Sequence, residues 1–290
     1  MKILFHTPTL SYRGMTVATA LYAKFNQEIL GNQSLIGYNC EHAYVPNGGT
    51  EPVVLNSFQQ EFTVVDCTST NLNQIVDAHH IDRFYSLRAG LLDPLPNNCI
   101  TGVHAVFGVC EPHGNQYAYV SEWLSQHVAA IWGQQFTWVP HIVHMPPANN
   151  TLHESLNIPR NATVIGRHGG WDEFDVEWVK QTLANVLQYR KDYYLLFVNT
   201  RPWIQHERVI FLDIIHDMQQ KSNFIATCDA MIHARHQGES FGLAIAEFLF
   251  HNKPVLAWHG GVDRNHVHMM RHSPLLYTDS KDLELKLNNF

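Results

Sequence analysis

Two carboxylates, Glu239 and Glu247, stand with seven residues between them in the run ESFGLAIAE. The run follows a strand-like AMIHA at Ala230 to Ala234 and leads into an apolar stretch that continues to Phe250. A helix that begins beyond the carboxyl end of a strand offers unpaired N–H groups and the positive end of its dipole to an anion. Open α/β sheets bind their ligands outside those ends. Ser240, Phe241, Gly242 and Leu243 are so placed that they could cradle a phosphate. Glu247 is the one charged residue of a helix that is apolar almost all round and is therefore expected to be buried. Burying a lone carboxylate costs several kcal/mol, so Glu247 requires a cation, donor groups or the hydroxyls of a ligand, such as a ribose diol. Glu239, in the loop before the helix, is better placed to reach a sugar lying beside the phosphates.

Other chemistries find less support. The pairs His141 with His144, His233 with His236 and His266 with His268 have ligand-like spacing, but no HEXXH and no carboxylate at fixed spacing completes a metal site. The sequence has no DXD, and no GxGxxG that would point to a nicotinamide cofactor. Ser121 in YVSEWL reads as a helix N-cap following a strand. The five cysteines, Cys40, Cys67, Cys99, Cys110 and Cys228, are odd in number and contain no CxxC. They suggest neither a disulfide framework nor zinc, and a reducing cytoplasm is expected.

The elements that must position these residues alternate along the chain. A strand at Lys2 to Phe5, a turn ending at Gly14 and a helix from Thr16 to about Leu30 open the first half. Strands are predicted at Ser34 to Gly37, Phe62 to Val65, Phe84 to Leu87, Gly102 to Phe107 and Tyr117 to Val120. Helices are predicted at Leu72 to Ala78 and Glu122 to Ile131. A Pro- and Asn-rich segment then breaks the pattern, and the alternation restarts. Strands are predicted at Thr163 to Gly166, Tyr194 to Val198, Val209 to Leu212, Ala230 to Ala234 and Pro254 to Trp258, and helices at Val176 to Leu187 and Gly242 to Phe250. Val176, Val179, Leu183, Val186 and Leu187 recur at helical spacing and predict a stripe packed on a sheet. Strands alternating with helices imply parallel sheets covered on both faces. At 290 residues the chain has room for two such domains, placed at 1–145 and 160–290 with a linker at about 146–159. A formal charge of −7 without a Lys/Arg cluster makes nucleic acid an unexpected partner. No run of ~18 apolar residues predicts a membrane span, and no signal peptide is visible at Met1 to Pro8.

The Glu239–Glu247 pair around Phe241-Gly242-Leu243, followed by NKPVLAWHGG at Asn252 to Gly261, resembles the retaining GT-B glycosyltransferases of the family 4 type. The motif covers about a tenth of the chain, and the order of elements matches over nearly all of it. The resemblance implies an α/β protein of two Rossmann-like domains with parallel sheets facing across a cleft. The second domain would hold the nucleotide-sugar donor, and the first would hold the acceptor, whether glycan, lipid or protein. It further implies a hexosyltransferase-like enzyme that keeps the anomeric configuration, with the leaving phosphate taking the acceptor's proton and with no metal or other cofactor required. By resemblance, Arg167 in GRHGG contacts the donor diphosphate, Gly14 marks the glycine-bearing loop after the first strand, and His104 in GVHAVF lies by the transferred sugar. The family's lysine some six residues beyond the arginine is replaced by Glu173, and Arg201 or Arg235 is expected to compensate. Such enzymes usually finish with a helix crossing back onto the first domain, whereas here one short helical stretch precedes Phe290. Two rival readings remain: a nucleotide-sugar epimerase or hydrolase on the same fold, and a non-catalytic binding protein.

Overall fold

The stripe on the segment around Val176 to Leu187 folds as predicted in the computed structural model, which describes residues 1–39 and 49–290; Cys40 lies outside the described residues. Val179, Leu183, Val186 and Leu187 are at most 1% exposed, while Gln181 and Gln188 face solvent. The chain divides into two compact units, Met1–Ile142 and Val143–Phe290.

In the first unit the elements run β1 (Lys2–His6), α1 (Gly14–Glu28), β2 (Gln33–Tyr38), α2 (Pro52–Glu61), β3 (Thr63–Asp66), α3 (Leu72–His79), β4 (Arg83–Arg88), β5 (Ile100–Ala105), β6 (Gln116–Tyr119), α4 (Glu122–Trp132) and β7 (Thr137–Trp138). Among the described residues they form one parallel sheet in the order β3-β2-β1-β4-β5-β6-β7. Successive strand residues point to opposite faces. Leu4, Leu35 and Phe84 therefore pack with Leu72 and Val76 of α3 on one side, and Phe5 and Ile36 with Val54 and Phe58 of α2 on the other. Ser121 caps α4 as expected, its side chain accepting from the Leu124 N–H.

The second unit continues with β8 (Thr163–His168), α5 (Glu177–Tyr189), β9 (Tyr193–Val198), β10 (Val209–Leu212), α6 (Met218–Thr227), β11 (Ala230–His233), β12 (Gly238–Glu239), α7 (Leu243–Phe250), β13 (Val255–Trp258), β14 (Asp263–Arg264), α8 (Asn265–Met269), β15 (Leu276–Tyr277) and α9 (Ser280–Asn288). Its main sheet is parallel in the order β10-β9-β8-β11-β13-β15, with β12 and β14 forming a separate two-stranded pair. Ile165, Leu195, Phe197 and Ile232 meet α5 and α9 on one face, and Val164, Leu196, Met231 and Val255 meet Phe224 of α6 and Phe248 of α7 on the other.

Three features depart from the sequence reading. The segment 146–159, read as a linker, packs within the second unit: Ile158 is 4% exposed, and the Leu152 N–H donates to Thr227 Oγ1. The helices α2 and α6 were not anticipated. Helix α7 is not buried all round, since Leu249 and Phe250 at its end are 39% and 47% exposed. Its apolar composition reflects one face on the sheet and one turned outward. Among the described residues no helix is long and apolar enough to cross a membrane.

Candidate functional site

Both main sheets reverse their strand order between the first and fourth strands, β1 and β4 in the first unit and β8 and β11 in the second. Such a reversal opens a crevice at the carboxyl ends, where α/β proteins take their ligands. In the second unit those ends are His168 and His233, and almost all the donor-site residues expected from the sequence gather around them.

Adjacent residues on β8 face opposite sides, which separates the charged groups into two networks. Arg167 points to the α5 side, 5% exposed, with its guanidinium carbon 5.5 Å from the centre of the Phe174 ring. Its Nη1 donates to Thr200 Oγ1, and its Nη2 donates to the Gly170 carbonyl at 3.3 Å. Burial pulls this guanidinium down to about 10, against the pull of Glu173 and Glu239. Arg235 bridges two carboxylates, with Nη2 at 2.7 Å from Glu173 Oε1 and Nη1 at 3.3 Å from Glu239 Oε2. Glu239 Oε1 lies 3.1 Å from His233 Nε2. Burial acts to raise the Glu239 carboxyl, but His233 and Arg235 hold it below the usual carboxylate range. Arg201 is held apart, paired through Nε with Asp172 at 2.6 Å and largely exposed.

The second network lies on the other face. His168 packs against Phe248 and Phe224, with ring centres 5.9 and 6.0 Å away, and its Nε2 is 2.9 Å from Glu247 Oε2. Lys221 of α6 donates to Glu247 Oε1 at 3.0 Å. Of the partners open to Glu247 in the sequence, a cation, donor groups or the hydroxyls of a ligand, the structure supplies a cation, Lys221. Although burial pushes the Glu247 carboxyl up, Lys221 and His168 bring it down to about 2. Burial holds His168 below the ordinary imidazole value despite Glu247, so Lys221 supplies the compensating charge. Sequence reasoning missed Lys221 because no helix was expected there. The alternation of β8 was the signal that His168 shares the face of α7.

Between the networks, Gly242 is the N-cap of α7 at φ +95°, a left-handed conformation that a residue with a Cβ rarely adopts. Gly242 has no side chain with which to cap the helix, so among the described residues the first amides of α7 are open to another acceptor. Ser240, Phe241 and Leu243 are half-buried around it, and the Phe241 carbonyl accepts from Asn265 Nδ2 at 2.7 Å. Among the described residues no group of three or more His, Cys, Asp or Glu side chains is arranged to hold a metal ion.

The first unit's crevice differs in kind. Arg88, 7% exposed, donates to Ser86 Oγ at 2.5 Å and pairs with Asp93 at 3.1 Å. A cavity of about 680 Å³ opens there, lined by His6, Ser11, Arg13, Thr50, Arg88 and Asp93 among others. Gly14 is exposed as the first residue of α1, with an ordinary negative φ. His104 is 1% exposed, its Nδ1 at 2.8 Å from Tyr85 Oη, in an aromatic cluster with Tyr22 and His141. Burial takes His104 down to about 4 and His141 to about 3, so both imidazoles are neutral at pH 7.

No known family profile matches the sequence, and no curated protein matches it. Solved structures match it over the whole chain. A glycosyltransferase from Rickettsia africae aligns with TM-score 0.70 and 15% identity over 99% of this chain and 87% of that one. HepE from Anabaena, in complex with UDP-glucose, aligns with TM-score 0.68 and 16% identity over 100% and 89%. A candidate UDP-N-acetylglucosamine 2-epimerase from Listeria monocytogenes aligns with TM-score 0.58 and 12% identity over 100% and 88%. The fold is the α/β architecture of the GT-B glycosyltransferases, with two doubly wound parallel sheets.

Proposed function

We propose that the chain is a glycosyltransferase that moves a sugar from a nucleoside-diphosphate sugar to an acceptor hydroxyl with retention of configuration. The observation that carries this reading is the convergence of Arg167, Arg235, Glu239 and the uncapped start of α7 at the β8–β11 reversal, on a fold shared with a UDP-glucose-bound protein. Arg235 and the α7 amides meet the charge that grows on the leaving diphosphate, and Arg167 holds the Gly169–Gly170 loop against Thr200. Glu239 takes a sugar hydroxyl, and Glu247, steadied by Lys221 and His168, takes the ribose. In the transfer, the bond from the anomeric carbon to the phosphate oxygen breaks and the bond to the acceptor oxygen forms on the same face. The acceptor's proton passes to the departing phosphate, so the protein supplies positioning and charge stabilisation and no nucleophile.

The acceptor, a hydroxyl of a glycan, lipid or protein, belongs to the first unit's cavity beside Arg88. His104 is assigned to the sugar side as a neutral hydrogen-bonding group. No metal or further cofactor enters the scheme. The reaction is placed in the cytoplasm, in keeping with Cys67, Cys99, Cys110 and Cys228 all being free.

Proton NMR of the product from UDP-hexose and a panel of acceptors tests the reading: an α-linked donor yields an α-linked product. An inverted anomer contradicts the mechanism. A second reading, epimerisation, is favoured by the fold shared with the Listeria protein. It predicts that the sugar changes in the absence of any acceptor.

A further inference from the structure

Gly170 and Glu173 stand three residues apart in the loop after β8, and the loop folds back on itself. The Gly170 N–H donates to Glu173 Oε2 at 2.9 Å, while Glu173 Oε1 meets Arg235 Nη2 at 2.7 Å. A Cβ at position 170 would lie 2.4 Å from Glu173 Cδ, so only glycine lets the carboxylate come in this far. A carboxylate held by a backbone N–H in a glycine loop and by a guanidinium is bound as a phosphate is bound: two oxygens, one amide and one planar cation.

We propose that Glu173 occupies the seat of the donor's diphosphate in the free protein, and that the donor binds by exchanging its phosphate oxygens for this carboxylate. The inference rests on the donor site assigned above. Charge balance shows why exchange is required. Arg167 and Arg235 face Glu173 and Glu239, with Asp175 also acting on Arg167, while Asp172 and Arg201 pair separately. The carboxylates of this group already match or outnumber its two guanidinium groups, so adding a diphosphate leaves excess negative charge unless one carboxylate departs. Glu239 is the worse candidate to leave, being 19% exposed and engaged by both His233 and Arg235. Glu173 is 39% exposed and sits on a loop, so it can swing into water at little cost. Arg235 then passes from Glu173 to the phosphate without losing its contact with Glu239. The device would favour ligands with enough negative charge to displace a carboxylate, hence nucleoside diphosphates over nucleosides.

Calorimetric titration of UDP and uridine into the wild type, Glu173→Gln and Glu173→Ala tests the exchange, with GDP or ADP and its nucleoside taking their place where one of these is the nucleotide that binds the wild type. Both variants are expected to bind UDP roughly threefold to tenfold more tightly, the scale of a half-exposed ion pair and the repulsion it adds, with uridine unchanged. The gain is expected to vanish in an Arg235→Gln background, because the competition passes through that guanidinium. A merely structural Glu173 would instead give weaker UDP binding and a lower melting temperature. Equal or weaker UDP binding in both variants, with the wild type still binding UDP, overturns the exchange and leaves the donor site standing. Failure of every variant and the wild type to bind any nucleoside diphosphate removes the donor site and the exchange together.

Discussion

The two units repeat one strand order, yet their crevices have opposite chemistry. In the first, a single buried arginine, Arg88, is matched by Asp93 and Ser86, and the nearby histidines His104 and His141 are neutral within an aromatic cluster. In the second, Arg167, Arg235 and Lys221 face Glu173, Glu239 and Glu247 on both faces of β8. Topology provides both crevices with the same opening, so side-chain charge is what distinguishes them, and the proposed division into a diphosphate side and an acceptor side rests on it.

The sharpest way to break this contrast is Glu247→Ala. It leaves Lys221, 16% exposed, without its carboxylate, and removing one partner of such a pair costs about 3–5 kcal/mol. Urea denaturation is expected to show this loss together with weakened nucleotide binding. A variant as stable as the wild type would mean that the pair does not organise the second unit.

Acid should act on both units, through their buried histidines. An imidazole whose folded value lies below its unfolded one, near 6.5, is neutral in both states at pH 7. As pH falls below ~6.5 the unfolded chain takes up the proton first, so stability is lost down to the folded value. His104 in the first unit and His266 in the second, each brought to about 4 by burial, set this window. Each contributes roughly 3 kcal/mol of loss across it. Glu247, at about 2, adds its loss only below the ordinary carboxylate value near 4.3, where the unfolded state binds the proton and the folded state does not. Urea midpoints measured from pH 7.5 to 4.5 are expected to hold level to about pH 6.5 and to fall below it; a profile flat throughout would contradict the burial of these imidazoles.

Much of this architecture was legible in the sequence, and the reasons for what was not are physical. The strands of both main sheets were read from short apolar runs, as in the YYLLFV of β9 and the AMI of β11. Helix α6 escaped because only Phe224 and Ile225 anchor it strongly while Ser222 and Thr227 are buried polar residues, so its periodicity is faint. The loss of α6 hid Lys221, and with it the answer to what neutralises Glu247. The two-residue strands β7, β12, β14 and β15 are set by tertiary pairing and carry no pattern of their own. The motif located Glu239, Glu247 and Gly242 in sequence. It could not show that Glu173, standing where a lysine was expected, folds back onto Gly170 and Arg235, because that contact depends on the loop after β8 meeting the separate segment after β11.

The central claim, that the second unit's crevice holds a nucleoside diphosphate, is tested most directly by thermal unfolding with and without UDP, GDP and ADP on the wild type, Arg235→Ala and Arg201→Ala. A ligand at ~100 times its dissociation constant adds roughly 2.7 kcal/mol of stability. One of the three nucleotides is expected to raise the melting temperature of the wild type and of Arg201→Ala, whose guanidinium is exposed and paired elsewhere, and to lose most of that effect in Arg235→Ala. No shift with any nucleotide, or an equal shift in all three proteins, would contradict the assignment of the site.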